Sequence, residues 1–174
     1  VLVDDDIVKV LQDFGVRAGV SIDGPQEWND KARKDHQGLG SFERVLTGVE
    51  KLRNPNEGTS VFGGFLTVLS PEISPQELLA FYKEIEAPAF DFLLPDYNHD
   101  TFPYDKYPIG TFGKWLVEAF DLWMDSGQGV EIRFFSTLMK LLLGGQNGYD
   151  AVGEMSKGVL VIETDGTYHG VDVL

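Results

Sequence analysis

A strand-length apolar run followed by a helix-length amphipathic run recurs three times along this chain, and that alternation restricts the fold more than any other feature. The apolar runs cover residues 16–22, 61–69 and 89–94. The first breaks at Asp23-Gly24-Pro25 and the third at Pro95, where a strand cannot continue. Residues 42–53 follow the first run, with Ser41 as a candidate cap and Val45, Leu46, Val49 and Leu52 at helical spacing. Ser74-Pro75-Gln76-Glu77 opens the second helix, to about residue 86, as a cap, a first-turn proline and a capping-box glutamate. Leu78, Leu79, Tyr82 and Ile85 are expected to face inward. The third helix, residues 110–125, carries a core stripe of Phe112, Trp115, Leu116, Ala119, Phe120 and Trp123. Repeated strand–helix alternation builds right-handed βαβ units on a parallel sheet. The expected fold is therefore α/β, a partial (β/α) TIM-like barrel with parallel strands plus a C-terminal β-hairpin. A flavodoxin-like single sheet is the structural alternative. Its phosphate-binding form wants a longer glycine loop than Gly38-x-Gly40-Ser41.

The remaining elements are shorter. Residues 4–14 read as a helix with acids at its start and Gly15 after its end. Gly63-Gly64 inside the second strand implies either a bulge or a close backbone approach. Residues 130–134 read as a short strand with Arg133 as a candidate charge partner, and Ser136 opens a helix ending at Gly144-Gly145. Residues 159–164 and 168–173 form a hairpin around Asp165-Gly166. The expected division is a partial barrel over residues 1–145, then a linker and the start of a hairpin region over residues 146–174.

Charge and composition narrow the partners. The chain has 174 residues, enough for a real core, and a formal net charge of −14. Such a field repels nucleic acid and anionic lipid, so neither is expected as a partner. No apolar run is long enough to span a bilayer and no charged-then-apolar signal opens the chain, so a cytoplasmic location is expected. There is no cysteine, which removes disulfides, thiolate catalysis and cysteine-ligated clusters from these residues.

In α/β folds the ligand meets the C-terminal ends of the strands. Ser21 and Asp23 end the first strand, and Arg33 lies in the polar run after it. Asp96, His99 and Asp100 follow the third strand, where they could accept protons or bind a peptide through hydrogen bonds. His99 has no second histidine or cysteine at ligand spacing, so no metal site is expected. A Pro- and Tyr-rich loop over residues 101–108 could close over such a site.

Three motifs in order carry a resemblance. They are Ser21-Ile22-Asp23-Gly24-Pro25, then Asn29-Asp30-x-x-Arg33, then Gly38-x-Gly40-Ser41-Phe42-x-x-Val45. With Phe62-Gly63-Gly64-Phe65-Leu66, Phe90-Asp91-Phe92-Leu93-Leu94-Pro95 and Val161-Ile162-Glu163-Thr164-Asp165-Gly166, they resemble the middle of radical S-adenosylmethionine enzymes with a SPASM C-terminal region. More narrowly, the set resembles the cyclophane-forming peptide maturases. The resemblance implies a precursor peptide as substrate, and S-adenosylmethionine and a 4Fe-4S cluster in the full-length parent. It implies Ser21, Asp23 and Arg33 as cofactor-binding residues, with Arg33 pairing the methionyl carboxylate. Asp96, His99 and Asp100 become candidate substrate contacts. The cluster-binding Cys-x-x-x-Cys-x-x-Cys loop of the family is missing here, so a piece cut from a longer enzyme, inactive alone and without a cofactor of its own, is expected. In sulfatase-type maturases the equivalent hairpin ends in a Cys-Asp pair. Val171-Asp172 stands at that spacing, which makes Asp172 the candidate catalytic base. The alternative is a non-catalytic α/β domain that binds a peptide or a protein partner.

Overall fold

The computed structural model describes residues 3–146 and 160–169. It divides into two compact units, Val1–Arg133 and Phe134–Leu174. In the first unit, β1 (Ala18–Ser21), β2 (Phe62–Val68), β3 (Ala89–Leu93) and β4 (Glu131–Ile132) form one sheet in the order β1-β2-β3-β4. Every neighbouring pair is parallel. Helices α1 (Asp5–Asp13), α2 (Gln26–Ala32), α3 (Phe42–Arg53), α4 (Pro75–Glu84) and α5 (Thr111–Asp125) alternate with the strands. This is the expected α/β architecture, a run of βα units in sequential order.

The core lies between the sheet and α3, α4 and α5. Phe65, Phe90 and Phe92 point from one face of the strands, alternating with residues on the other face. Tyr82 of α4 stacks on Phe90, with ring centroids 4.0 Å apart, and Trp115 of α5 meets Phe92 edge-on at 5.3 Å. Each such ring contributes about 2 kcal/mol by leaving water. Their polar tips are all satisfied: the Tyr82 hydroxyl donates to the Ile22 carbonyl, Trp115 Nε1 to Ile73 and Trp123 Nε1 to Val130. Burial pushes the Tyr82 hydroxyl pKa far above its usual value, so it remains a donor.

The α5 stripe buries Trp115, Ala119 and Trp123, and half-buries Phe112, Leu116 and Phe120. On α4 the buried residues are Pro75, Leu78, Phe81 and Tyr82; Leu79 and Ile85 are only half-buried. Ser74 caps α4 as expected, accepting from the Glu77 backbone, while the Glu77 carboxylate accepts from the indole of Trp28.

Gly63-Gly64 resolves into both expected features at once. Ala18 pairs with Phe62 and Gly19 with Gly64, so Gly63 is an extra residue in the ladder. Gly64 sits at φ +118°, and a Cβ there would lie 2.5 Å from the Ala89 carbonyl oxygen.

Three expectations need correction. The polar run after Pro25 contains α2, a seven-residue helix too short to show a period. Ser41 supplies no side-chain cap to α3; Asp30 Oδ1 accepts from the Ser41 and Phe42 backbone N–H groups instead. The strand expected over residues 130–134 is only Glu131–Ile132, because helix α6 (Arg133–Leu142) begins three residues before Ser136.

The second unit contains most of α6 and the antiparallel hairpin β5 (Val161–Ile162) with β6 (Tyr168–His169). Asp165 Oδ1 accepts from the backbone and hydroxyl of Thr167, at 2.9 and 2.7 Å, which pins the turn.

Candidate functional site at the strand ends

Ser21 is the last residue of β1, and Asp23 follows two positions later on the same side of the chain. Their spacing is set by Ile22, whose side chain is fully buried on the helix side. The chain then turns through Gly24-Pro25 into α2 and returns Arg33 to Asp23. Arg33 Nε lies 2.7 Å from Asp23 Oδ2 and its Nη2 donates to Oδ1 at 2.9 Å, a two-point contact. The Val68 backbone N–H of β2 also donates to Asp23 Oδ1, at 2.9 Å. Asp23 thus ties the end of β1 to the end of β2 and to the loop after α2.

Behind this pair sits a buried polar support. Asn29 is fully buried, accepts from the Asp23 backbone N–H at 3.3 Å, and donates to Asp30 and Ser41. Burial pushes the Asp30 carboxyl up, but hydrogen bonds from Asn29, Phe42 and Ser41 outweigh it and hold the group below its usual range. A Cβ on Gly40 would overlap the Asp30 carboxylate, so Gly40 makes room for this cap.

A cavity of about 500 Å³ opens at these strand ends. Asp23, Arg33 and Lys31 line one side; Leu69, Ser70 and Glu72 line another; Pro95, Tyr97, Tyr107 and Phe112 close a third. The loop over residues 101–108 contributes Tyr107 to this cavity. It is tied down where Lys106 Nζ meets Glu72 Oε1 at 2.5 Å and the Tyr107 hydroxyl donates to the same carboxylate at 3.4 Å. Lys106 above all, through hydrogen bond and charge, holds the Glu72 carboxyl below its usual range.

Of the residues named from sequence, Asp23 and Arg33 line this cavity and Ser21 lies at the strand end beside Asp23. From the segment after β3, the cavity takes Pro95 and Tyr97, while Asp96, His99 and Asp100 are exposed. His99 and Asp100 lie 3.6 Å apart with nearly complete solvent exposure. Asp172 lies outside the described residues. Among the described residues no group of three histidine or carboxylate side chains could hold a metal ion.

Sequence reasoning missed Trp28, Lys31, Glu72 and Asp91. Lys31 Nζ stands 3.6 Å over the Trp28 ring. Asp91 is fully buried in β3, with its Oδ2 3.0 Å from Arg133 Nη2. The available signal was an acid interrupting an otherwise apolar strand, together with Arg133, already a candidate charge partner.

The donor sets decide what these residues could hold. The chain has no cysteine, so they do not fit an iron–sulfur cluster. The cavity groups do fit S-adenosylmethionine: aromatic faces for a base, and carboxylate and cationic groups for a ribose and an amino acid.

No family model matches the chain. Among curated proteins it is 28% identical over 179 residues to the cysteine-type anaerobic sulfatase-maturating enzyme of Clostridium novyi (strain NT), covering 98% of this chain and 46% of that protein. It is 24% identical to the enzyme of the same name from Clostridium perfringens (strain 13 / Type A), covering 98% and 47%. Against the serine-type anaerobic sulfatase-maturating enzyme of Bacteroides thetaiotaomicron the identity is 23%, covering 98% and 45%. The chain thus spans about half the length of the curated relatives it matches. Among solved structures it is similar to "Native anSMEcpe with bound AdoMet and Cp18Cys peptide", with TM-score 0.75 and 26% identity over 98% of this chain and 48% of that one. "Native anSMEcpe with bound AdoMet" has the same fold, with TM-score 0.73 at 24% identity over 98% and 48%. No helix among the described residues is long and apolar enough to cross a membrane. The homologues of this chain are anaerobic sulfatase-maturating enzymes, and its parallel α/β sheet is the fold it shares with them.

Proposed function

We propose that this chain is the (β/α) portion of a longer radical S-adenosylmethionine enzyme that modifies side chains of a ribosomally made peptide. The observation that carries the reading is its similarity, over 98% of its length, to a structure with both AdoMet and a peptide bound. The strand-end cavity supports it, because its groups suit the cofactor and its position suits the site of a barrel. Crosslinking of the peptide, as in the cyclophane-forming maturases, is the finer form of this proposal. It rests on the motif order from Ser21 to Gly166.

In this reading Ser21, Asp23 and Arg33 form the cofactor edge. Asp23 clamps the Arg33 guanidinium and keeps it at the cavity wall. Trp28, Tyr97, Tyr107 and Phe112 give the cavity its aromatic walls. Asp96, His99 and Asp100 would meet the peptide once it is bound. When bound, S-adenosylmethionine would take one electron from the 4Fe-4S cluster proposed for the full-length parent. It would so supply the radical chemistry that removes a hydrogen atom from the substrate, and the electron left on the substrate would return to the parent's iron–sulfur chemistry. Asp172 is the proposed acceptor of the proton that the modified side chain then gives up. Residues 1–145 and 146–174 are proposed as barrel portion and SPASM-like start.

The test uses the full-length protein that carries this segment. S-adenosylmethionine should bind in equilibrium dialysis, and Arg33→Ala should weaken that binding about tenfold or more, the loss of a charge-assisted contact. Asp172→Asn should retain cofactor cleavage to 5′-deoxyadenosine and lose most peptide modification by mass spectrometry. A wild-type protein that neither binds nor cleaves the cofactor would overturn the reading, and peptide capture without cleavage would favour the non-catalytic alternative.

A further inference from the structure

The connection from β3 to α5 runs over residues 94–110, whereas strand-to-helix connections in α/β units usually take about 2–6 residues. A connection of that length without secondary structure of its own is uncommon unless it is functional. This one carries its own small cluster. The Phe102 ring meets Tyr97 at 5.7 Å and Tyr104 at 4.8 Å between centroids, and Phe112 of α5 closes the cluster against Phe102 and Tyr107. Asn98 folds the first turn, its side-chain oxygen accepting from the Asp100 and Thr101 backbone N–H groups. Yet none of residues 95–110 is buried.

The polar attachment of this segment is equally sparse. Residues 95–109 hydrogen-bond among themselves and, through the Pro108 carbonyl, to Thr111 at the head of α5. Among the described residues their only other polar partner is the Glu72 carboxylate, which takes both the Lys106 ammonium and the Tyr107 hydroxyl. Glu72 is a fixed post. It stands between Leu69 and Ile73, both buried, and the Ile73 carbonyl accepts from the Trp115 indole. The post is also at the cavity: Glu72 lines it together with Pro95, Tyr97 and Tyr107 of the segment. A segment with no buried residue and one point of polar attachment opens locally at low cost. Gly110, at φ +87° and without a side-chain cap on α5, supplies a pivot at its end.

We propose that residues 95–110 are a lid on the strand-end cavity, latched shut by Glu72 through Lys106 and Tyr107. Loss of the latch opens the cavity to its ligand, which is S-adenosylmethionine in the function proposed above. The identity of the ligand rests on that reading; the latch does not.

The experiment compares wild type, Glu72→Gln and the charge swap Glu72→Lys/Lys106→Glu in the full-length protein. Amide hydrogen exchange read by mass spectrometry is measured first, without ligand. Glu72→Gln should speed exchange of residues 96–107 about threefold, the loss of one exposed ion pair, and leave β2 and β3 at the wild-type rate. The charge swap should restore slow exchange. Stopped-flow displacement then measures release of S-adenosylmethionine, which should be about threefold faster in Glu72→Gln and return toward wild type in the charge swap. Wild-type exchange in Glu72→Gln overturns the latch, and so does faster exchange spread equally over β2 and β3. Faster exchange of residues 96–107 with an unchanged release rate overturns the lid, leaving a tethered surface loop. A charge swap that restores slow exchange but not slow release also overturns it, because Glu72 would then act on the ligand directly. A wild type that binds no S-adenosylmethionine overturns the proposed function, and the latch then stands or falls on the exchange rates.

Discussion

Single residues decide how closely the strands of this sheet can approach. Gly64 is the sharpest case. Its φ is +118°, and the Ala89 carbonyl oxygen lies 2.5 Å from where a Cβ would stand, so both conformation and space exclude a side chain. Gly64→Ala should therefore cost about 3 kcal/mol, from backbone strain plus overpacking. Gly19→Ala is the control on the neighbouring strand: its nearest neighbour would be Leu66 Cδ1 at 3.9 Å, and the expected change is within about 0.5 kcal/mol. Urea midpoints at constant m-value measure both. Equal midpoints for the two variants would mean that the β2–β3 approach is not tight. The same scale explains what the sequence could reveal about the site. Asp23 and Arg33 are ten residues apart and joined by one turn and one short helix, so their proximity follows from local chain direction. Asp91 and Arg133 are brought together only by the pairing of β3 with β4, which no local pattern announces.

At the scale of elements, the long amphipathic helices were legible because burial follows their period. Helix α3 runs over Phe42–Arg53, and α5 buries Trp115, Ala119 and Trp123 along one stripe. Helix α2 was not legible because seven residues give fewer than two full turns of clear pattern, and its buried residue is Asn29, held by hydrogen bonds rather than by apolar contact. The start of α3 was misread for a related reason. Ser41 has the right chemistry for a cap, yet Asp30 reaches across from α2 and takes the role. Asp30→Ala should thus cost about 1–2 kcal/mol, and Ser41→Ala a few tenths. The pH dependence has a definite sign. The Asp30 carboxyl is lowered in the folded state, so its stabilisation is complete above the ordinary aspartate range near about pH 4 and is lost as pH falls through the lowered folded value. Asp30→Ala should therefore flatten the acid limb of a stability–pH curve relative to Ser41→Ala. Parallel acid limbs in the two variants would remove Asp30 as the cap.

At the scale of the whole molecule, a sequential parallel sheet gathers its functional side chains at one end. Asp23, Arg33, Glu72, Tyr97 and Tyr107 come from three successive connections and meet around one cavity because every strand runs the same way. The chain carries a net charge of −14, and of the two cations at this mouth Arg33 is paired with Asp23 while Lys31 stands over the Trp28 ring. In the function proposed above, this fold serves S-adenosylmethionine chemistry on a peptide. The most direct measurement is the isotopic content of 5′-deoxyadenosine released by the full-length protein acting anaerobically on a peptide deuterated on its side chains. The expected result is 5′-deoxyadenosine carrying deuterium from the peptide, in an amount that tracks the modified product. Unlabelled 5′-deoxyadenosine beside modified peptide, or none at all, would contradict it.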